Sequence, residues 1–333
     1  MPIFPMGRSR LDVCPADVGR RVSIRYRSGL RPEAEVVGVL FRWTGDRKTG
    51  ILRVRLRNGS EVGVRQRNIV AMRIIPPESS ALAMLRLAEA GWPPMETMDL
   101  GTWVLRASQG VSARANSVRV GGLPDDLDKR LAQTVDWYQE RNLAPLLQIP
   151  DPILLQRYLT DRNWRQQHSS RLMICPATLL RETAVAGAYR SDLDLEVRPE
   201  FDDEWLEFLP RENTDNRPEY ERALGTEQPQ AFVYCRNTEG ELLGVGHAVR
   251  LDDWCDYTTL AVSPDARRGG VATAVTSTLA EWAIDNDARK WFLQFYESNA
   301  AALNFYEGLG FTTHHRYGYW LPEEFELSDT NDV

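Results

Sequence analysis

The sequence of 333 residues predicts a mixed α/β protein, in which a small all-β module precedes two α/β units. Three observations predict this class. Short strands in which arginine alternates with apolar residues run from 20 to 75 with no helical pattern between them. From residue 79 onward, helical and strand patterns alternate along the chain. The chain also exceeds the about 100 to 200 residues of a typical domain, so two or three domains are expected.

The first module is expected over 16–77 as a small closed β-barrel. In 51–57, arginine alternates strictly with Ile, Leu and Val, which places the apolar side chains on one face of a strand. Asn58-Gly59 is a strong hairpin signal, and Pro76-Pro77 ends the module. Strands are expected at 21–27, 34–43, 51–57, 61–64 and 69–75.

The second unit is expected over 79–185. Ser79-Ser80 is a typical helix cap, and Gly91 ends the helix that follows. Between them, the segment 81–90 is expected to be helical. Leu127, Leu131 and Val135 lie on one stripe of a second helix. Helices are expected at 81–90, 126–141 and 152–162, and strands at 103–107, 115–120 and 146–149.

The third unit, over 186–326, has the most regular alternation and predicts a mixed sheet flanked by helices. Its strands are expected at 193–198, 231–235, 243–250, 257–262, 291–296 and 311–321. Its helices are expected at 202–209, 218–224, 270–285 and 300–308.

The second and third units carry similar residues at similar spacings. Thr134-Val-Asp-Trp137 and Leu147-Gln-Ile in the second unit parallel Leu279-Ala-Glu-Trp282 and Leu293-Gln-Phe in the third. Asn163-Trp164 likewise parallels Gly310-Phe311. These parallels indicate a tandem duplication in which only the second copy retains the chemistry. The alternative is that two unrelated α/β units share a chance similarity.

Charge is distributed unevenly along the chain. Residues 16–76 hold 14 Arg and Lys against 5 Asp and Glu, a local charge of +9, whereas the whole chain carries −7. A basic module is therefore attached to an acidic body. The sequence has no run of signal-peptide type and no segment of about 18 uninterrupted apolar residues, which predicts a cytoplasmic protein without membrane contact. The four cysteines and four histidines show no metal-binding spacing, so no metal is expected.

The segment from Leu260 to Thr273 is the one that indicates chemistry most directly. A strand is expected to end at Val262, and glycines then open a long helix. Amides at a helix start have no intrahelical partners and bind anions, helped by the helix dipole. Gly269 and Gly270 leave room for a phosphate to approach the backbone, and Arg267 and Arg268 add donors suited to a diphosphate.

The order of residues in this segment resembles a known family signature. Arg267-x-x-Gly270-x-Ala272 after a Val-x-Pro strand end is similar to the diphosphate-binding signature of the GNAT (GCN5-related N-acetyltransferase) superfamily. Asn299-Ala-Ala-Ala-Leu-Asn-Phe-Tyr306, about 35 residues later, resembles the second signature of that superfamily. The resemblance is close over about 190–322. More widely, with Arg114-Ala-Asn-Ser-Val118 in the first half, the chain resembles actinobacterial tandem GNAT proteins with an SH3-like or Tudor-like N-terminal domain, which implies such a domain over 16–77.

The resemblance implies a GNAT fold whose sheet splays between the strands at 257–262 and 291–296, with acetyl-CoA as co-substrate in the gap. Pantetheine amides would pair with the backbone at Leu260 and Val262, and Asn299 and Tyr306 would flank the thioester. The first copy lacks the signature at 119–124, so no cofactor is expected there. The residues expected to hold acetyl-CoA are Leu260, Ala261, Val262, Arg267, Arg268, Gly269, Gly270, Val271, Ala272, Thr273, Asn299 and Tyr306.

Three side chains are candidates for the catalytic steps. Tyr306 matches the family position that protonates the leaving thiolate; the alternative is an aromatic of the helix core. Asp256 matches a strand position where family members place a glutamate base. An unperturbed aspartate, with a pKa of ~3.9, is however a poor base. It could instead position a water, or be a solvated turn acid. Glu297 is the alternative base, and His247 is more simply structural.

The predicted function is transfer of an acetyl group from acetyl-CoA to a primary amine. The acidic body favours a cationic acceptor, such as a lysine side chain, a peptide N-terminus or a polyamine. The first copy is expected to form part of the acceptor pocket, its sheet packing against the catalytic one. The competing hypothesis is a binding module, in which residues 16–76 contact nucleic acid or a protein partner and the GNAT domain senses acyl-CoA.

Overall fold

The structure is a computed structural model and describes residues 15, 18–19, 21–28, 31–46, 48–56, 60–74, 80–110, 112–151, 155–188, 192–209 and 217–325. The chain divides into two compact units, Met1–Ala83 and Met84–Val333. Each unit is built around its own hydrophobic clusters.

The first unit is an antiparallel five-stranded sheet. Its strands are β1 (Arg21–Ser28), β2 (Arg31–Thr44), β3 (Ile51–Arg55), β4 (Glu61–Arg65) and β5 (Ile69–Ile74). Their order in the sheet is β4-β3-β2-β1-β5. Leu52 and Val54 are fully buried while Arg53 and Arg55 are exposed, as the alternation of β3 predicts.

The expected closed barrel is not seen in the described strands. They form one sheet in which β5 lies beside β1, and the two outer strands, β4 and β5, are not paired with each other among the described residues. A single 3-10 turn, Gln66–Asn68, connects them. The expected Asn58-Gly59 hairpin lies outside the described residues.

The second unit contains one mixed sheet and eight helices among the described residues, the first helix beginning just before the unit boundary. The strands are β6 (Glu96–Leu100), β7 (Trp103–Ala107), β8 (Val118–Arg119), β9 (Leu147–Pro150), β10 (Trp164–Pro176), β11 (Leu193–Arg198), β12 (Gln230–Asn237), β13 (Leu242–Leu251), β14 (Trp254–Val262), β15 (Lys290–Tyr296) and β16 (Thr312–Pro322). The helices are α1 (Ala81–Gly91), α2 (Leu127–Gln139), α3 (Gln156–Thr160), α4 (Ala177–Ala188), α5 (Asp203–Glu207), α6 (Arg217–Leu224), α7 (Val271–Asp285) and α8 (Ala300–Gly308).

The order of the eleven strands is β11-β12-β13-β14-β15-β10-β16-β9-β8-β7-β6. It is symmetric about the β10/β16 pair, except that the edge strand β11 has no counterpart at the other edge among the described strands. The parallel pairs, β14 with β15 and β8 with β9, lie at mirrored positions. By sequence, β6 to β10 make up the first half of this sheet and β11 to β16 the second half. Strand β10 of the first half pairs with β15 of the second, and β16 of the second half pairs with β9 of the first. The halves thus exchange one strand each and share a continuous sheet. This corrects the expectation that one sheet packs against the other.

Helices cover both faces of this sheet, and consecutive residues of β14 show it. Cys255 and Tyr257 lie in the cluster that contains α4 and α7. Trp254 lies in the opposite cluster with Met84 and Leu85 of α1. The two faces of β14 are therefore both buried, which explains why its sequence is not simply alternating. No helix in the described part of the chain is both long and apolar enough to span a membrane.

Candidate active site

The two parallel strands at the centre of the second half separate from each other. β14 and β15 pair from Trp254 and Lys290 as far as Tyr257 and Leu293. Beyond these residues β14 continues to Val262 and β15 to Tyr296, with no pairing recorded between them in this described stretch. We call the space between 258–262 and 294–296 the splayed gap. The expected separation of these strands is thus present.

A bulge turns β14 at the mouth of the splayed gap. On the β13 side, His247 pairs with Thr259 and Ala248 with Tyr257, so Thr258 is the extra residue of a β-bulge. The bulge is four residues before Val262.

Backbone groups of β14 face the splayed gap beyond the bulge. Ser263 donates its amide to Leu243 of β13 at 2.9 Å. Since hydrogen-bonded and non-hydrogen-bonded pairs alternate in an antiparallel ladder, the amides and carbonyls of Val262 and Leu260 point away from β13, into the gap. Ala261 points the other way, toward β13.

The end of β14 leads into the start of α7 through a tight loop. A 3-10 turn, Pro264–Ala266, is followed by Arg268 and Gly270 with φ of 59° and 85°, which places both in the left-handed region. The first backbone hydrogen bond of the helix is donated by Ala274 to Gly270 at 2.9 Å. The amides of Val271, Ala272 and Thr273 consequently have no intrahelical acceptor.

The helix α7 sits close to the sheet because β13 carries glycines beneath it. A Cβ atom on Gly244 would lie 2.6 Å from Val271 Cγ1, and one on Gly246 would lie 2.4 Å from Val275 Cγ1. Any larger residue would push the helix away from the sheet. These two glycines therefore set the distance between the helix start and the splayed gap. Arg267 and Arg268 are exposed beside that helix start, and Gly269 is partly buried there.

Tyr306 lies against both strands that border the splayed gap. Its ring centroid is 6.1 Å from that of Tyr257 on β14 and 5.8 Å from that of Phe295 on β15. Burial raises the pKa of the Tyr306 phenol. No hydrogen bond from its hydroxyl to another described residue is present. Asn299 caps α8, accepting from the Ala302 amide at 2.9 Å, and is otherwise exposed.

Asp256 is fully buried, with both carboxylate oxygens lacking a hydrogen-bond partner among the described residues. It faces α1, where a Cβ on Gly91 would lie 2.6 Å from Asp256 Oδ2. Loss of hydration raises the pKa of Asp256 to about 7, opposed in part by the positive charge of Arg114. The interpretation of Asp256 as a solvated turn acid is therefore wrong.

The other two candidates have structural partners. The Glu297 carboxylate accepts from Arg171 Nη2 at 2.8 Å and from Arg316 Nε at 2.6 Å. His247 holds the bulge, since its Nδ1 is 2.5 Å from the Thr258 hydroxyl. Burial lowers the pKa of His247 to about 3, so the ring is neutral. No cluster of three or more metal-ligating side chains occurs in the described residues.

A small, partly open cleft lies where the halves of the sheet meet. Its wall includes Gln294, Phe295 and Tyr296, the β15 residues at the splayed gap. We call it the junction cleft. From the first half it receives Ser112 and Arg114. The cleft therefore adjoins the gap and is lined by both halves. That the first copy forms part of an acceptor pocket stays a prediction.

The family model described as "Probable histone acetyltransferase Rv0428c C-terminal" matches residues 82–320. The chain belongs to this family of GNAT-type acetyltransferases. Because the matched family is one of acetyltransferases, the binding-module hypothesis is not favoured.

Two relatives agree with this assignment. "Uncharacterized N-acetyltransferase YobR" of Bacillus subtilis is 27% identical over 242 residues, which are 70% of this chain and 95% of that protein. "Probable histone acetyltransferase Rv0428c" of Mycobacterium tuberculosis is 25% identical over 331 residues, 94% of this chain and 98% of that protein. The second match extends through the basic first module.

Solved structures share the fold of this acetyltransferase. A GCN5-related N-acetyltransferase from Kribbella flavida superposes with a TM-score of 0.55 at 14% identity, covering 75% of this chain and 98% of its own. A tandem GNAT protein from the clavulanic acid biosynthesis pathway superposes with a TM-score of 0.53 at 12% identity, covering 72% of this chain and 86% of its own. Identities this low establish the fold alone.

Sequence reasoning missed the residues of the junction cleft. Arg114 was noticed only as part of a family-like segment, and Gln294, Tyr317 and Tyr319 received no role. The signal that could have found them is weak. Tyr317 and Tyr319 alternate along β16, so they share one face of that strand.

Proposed function

We propose that this protein is an N-acetyltransferase that moves the acetyl group of acetyl-CoA directly to a primary amine. The observation that carries the proposal is the splayed gap ending at a helix start with three amides that lack intrahelical acceptors. Such a start binds a diphosphate through its amides and dipole. Acetyl-CoA, when bound, supplies the activated acyl group.

Each part of the co-substrate has matching groups on this chain. The diphosphate would accept from the amides of Val271, Ala272 and Thr273, with the exposed Arg267 and Arg268 beside it. The pantetheine amides would pair with the outward groups of Leu260 and Val262. The edge of β14 that faces the gap has backbone groups without partners among the described residues. An extended chain with two amides suits this edge, because each of its amides can hydrogen-bond to one of those groups.

Tyr306 would donate a hydrogen bond to the departing sulfur. Its raised pKa keeps the phenol protonated at neutral pH. Complete proton transfer to a thiolate is then more uphill than the about 2 kcal/mol expected for an unperturbed phenol. Tyr306 therefore acts by hydrogen bonding as the charge develops, which is the step that electrostatic stabilisation favours.

Asp256 would receive the proton released by the attacking amine. Its pKa of about 7 is suited to a general base near neutral pH. Because its carboxyl has no exposed surface, the proton would travel through water between amine and carboxyl. A pH profile of kcat/KM should show a limb near 7 that Asp256→Asn removes; an unchanged limb would exclude this role.

We propose that the first half is the degenerate first copy of a tandem pair, and that the second half is the catalytic copy. The mirrored strand order supports a duplication, since α2 and α3 follow their strands as α7 and α8 do. At the start of α2, where α7 offers glycines and arginines, this copy has Asp125, Asp126 and Asp128. Three carboxylates beside that helix start would repel a diphosphate. One acetyl-CoA per chain is therefore expected. For the first unit we propose an SH3-like domain, which is supported by its five short antiparallel strands with β5 beside β1 and by the 3-10 turn between β4 and β5.

Calorimetric titration with acetyl-CoA tests the co-substrate site. Gly270→Glu should abolish binding, since a carboxylate would occupy the diphosphate position. Gly240→Glu is the matched control: Gly240 has nearly the same φ, 86° against 85°, and lies in the turn between β12 and β13 with no atom within 4 Å of an added Cβ. Both variants place a non-glycine residue at a left-handed φ. Equal affinity in the two variants would reject the site.

A further inference from the structure

The lining of the junction cleft carries a positive charge and no negative one. Arg114 is the charged residue on its wall, and polar groups of Ser112, Ser170, Gln294, Tyr317 and Tyr319 surround it. This local pattern differs from the acidic average of the body, on which the expectation of a cationic acceptor rested. A charged group inside a cleft acts on a bound molecule at closer range than distant surface charges do.

Two buried hydrogen-bond donors on this wall have no partner among the described residues. They are Nη1 of Arg114 and Nε2 of Gln294. Gln294 uses its other amide atom, because Oε1 accepts from the Tyr317 hydroxyl at 2.9 Å. Arg114 makes no ion pair within 4.0 Å in the described part of the chain. Since most buried polar groups in proteins are satisfied, two free donors on one wall point to a ligand that accepts.

The loop that carries Arg114 is held in place from behind. Glu219, which is buried, accepts from the amides of Gln109 and Ser112 at 3.0 and 3.2 Å. Asn116 accepts from the amides of Ser108 and Gly110 at 2.7 and 3.2 Å. The guanidinium is therefore presented by a preorganised loop, and its unpaired state does not reflect a loose surface side chain.

We propose that the junction cleft binds an amine acceptor that also carries a carboxylate, with Arg114 and Gln294 donating to the carboxylate. The acceptor class is that of amino acids, in place of polyamines or lysine side chains. The proposal rests on the proposed acetyl transfer and names the acceptor of that site. A guanidinium pairs with a carboxylate in a planar, two-bond geometry, and the Gln294 amide adds a third donor. The carboxylate thus sets the orientation in which the amine approaches the splayed gap.

A substrate panel tests this directly. The amino acids, their carboxamides, their decarboxylated amines and phosphoethanolamine would be compared by thiol release, with wild type, Arg114→Met, Arg114→Lys and Gln294→Leu. Wild type should favour the amino acid over its carboxamide by about 10- to 100-fold in kcat/KM, the range of charge-assisted hydrogen bonds. Arg114→Met should remove that preference and Arg114→Lys should restore part of it. Arg157→Met, an exposed arginine on α3, is the control and should keep it.

The results separate this inference from the proposed function. Calorimetry with acetyl-CoA and circular dichroism would accompany every variant, and Arg114→Met should bind acetyl-CoA as wild type does. If wild type binds no acetyl-CoA, the proposed function fails first. If acetyl-CoA binds but amino acids are not acetylated, or amides and phosphoethanolamine serve as well, the carboxylate proposal is overturned. A preference that survives in both Arg114→Met and Gln294→Leu overturns it too.

Discussion

Replacing Asp256 by Asn should stabilise the protein in a way that depends on pH. The carboxyl is fully buried without hydrogen bonds, and its pKa rises from 3.8 to about 7 on folding. Between these pH values the folded state binds more protons than the unfolded state, so the stability of wild type falls as pH rises. Each pH unit corresponds to about 1.4 kcal/mol, which gives roughly 4 kcal/mol between pH 4 and pH 8.

Asn removes the ionisation and keeps the shape. The stability of Asp256→Asn relative to wild type should therefore increase by up to about 4 kcal/mol from pH 4 to pH 8 and change little at higher pH. The comparison cancels the opposite effect of His247, whose pKa is lowered to about 3.

Urea unfolding followed by tryptophan fluorescence suits the measurement, because nine of the ten tryptophans lie in Met84–Val333. Asp99→Asn, an exposed carboxylate on the edge strand β6, is the control and should track wild type at every pH. A stability difference between Asp256→Asn and wild type that is the same at pH 4 and pH 8 would refute the reasoning.

Three further outcomes are expected. Tyr306→Phe should lower kcat about 10²-fold or more while acetyl-CoA affinity by calorimetry stays near wild type; an unchanged kcat would remove Tyr306 from the reaction. Gly246→Ala should lower thermal stability by about 1–3 kcal/mol, because its Cβ would meet Val275 Cγ1 at 2.4 Å; no loss would mean that α7 shifts freely. Arg106→Met should cost about 3–5 kcal/mol in urea unfolding, since it leaves the Glu89 carboxylate short of a partner; a neutral result would show that Arg119 alone satisfies Glu89.

The local features of the site could be predicted from the sequence, because each depends on neighbouring residues. A strand that ends at Val262, glycines at a helix start and an asparagine cap at 299 are short-range patterns with a direct physical reading. The strands of the first unit followed from alternation in the same way. These elements appear within a few residues of the expected bounds.

The central strand β10 was not predicted, because the polar first part of its sequence has no strand pattern and its apolar run is confined to 172–175. Trp164 is followed by Arg-Gln-Gln-His-Ser-Ser, which alternates neither in polarity nor in size. The strand forms because β15 and β16, distant in sequence, pair with it on both sides. Such pairing overrides local propensity and leaves little trace in the strand itself.

The junction cleft and the state of Asp256 were beyond sequence reasoning for a related reason. Arg114 and Gln294 are 180 residues apart and meet through the strand exchange between the halves. The raised pKa of Asp256 results from its burial, and part of that burial comes from α1, a helix far earlier in the chain. Both properties depend on long-range packing, for which a single sequence offers no short-range signal.

A crystal structure of the protein with acetyl-CoA tests the central claim most directly. The account predicts one molecule per chain, its diphosphate within hydrogen-bond distance of the amides of Val271, Ala272 and Thr273, and its pantetheine paired with Leu260 and Val262. A diphosphate bound at the start of α2, or a splayed gap without acetyl-CoA at saturating concentration, would contradict the account.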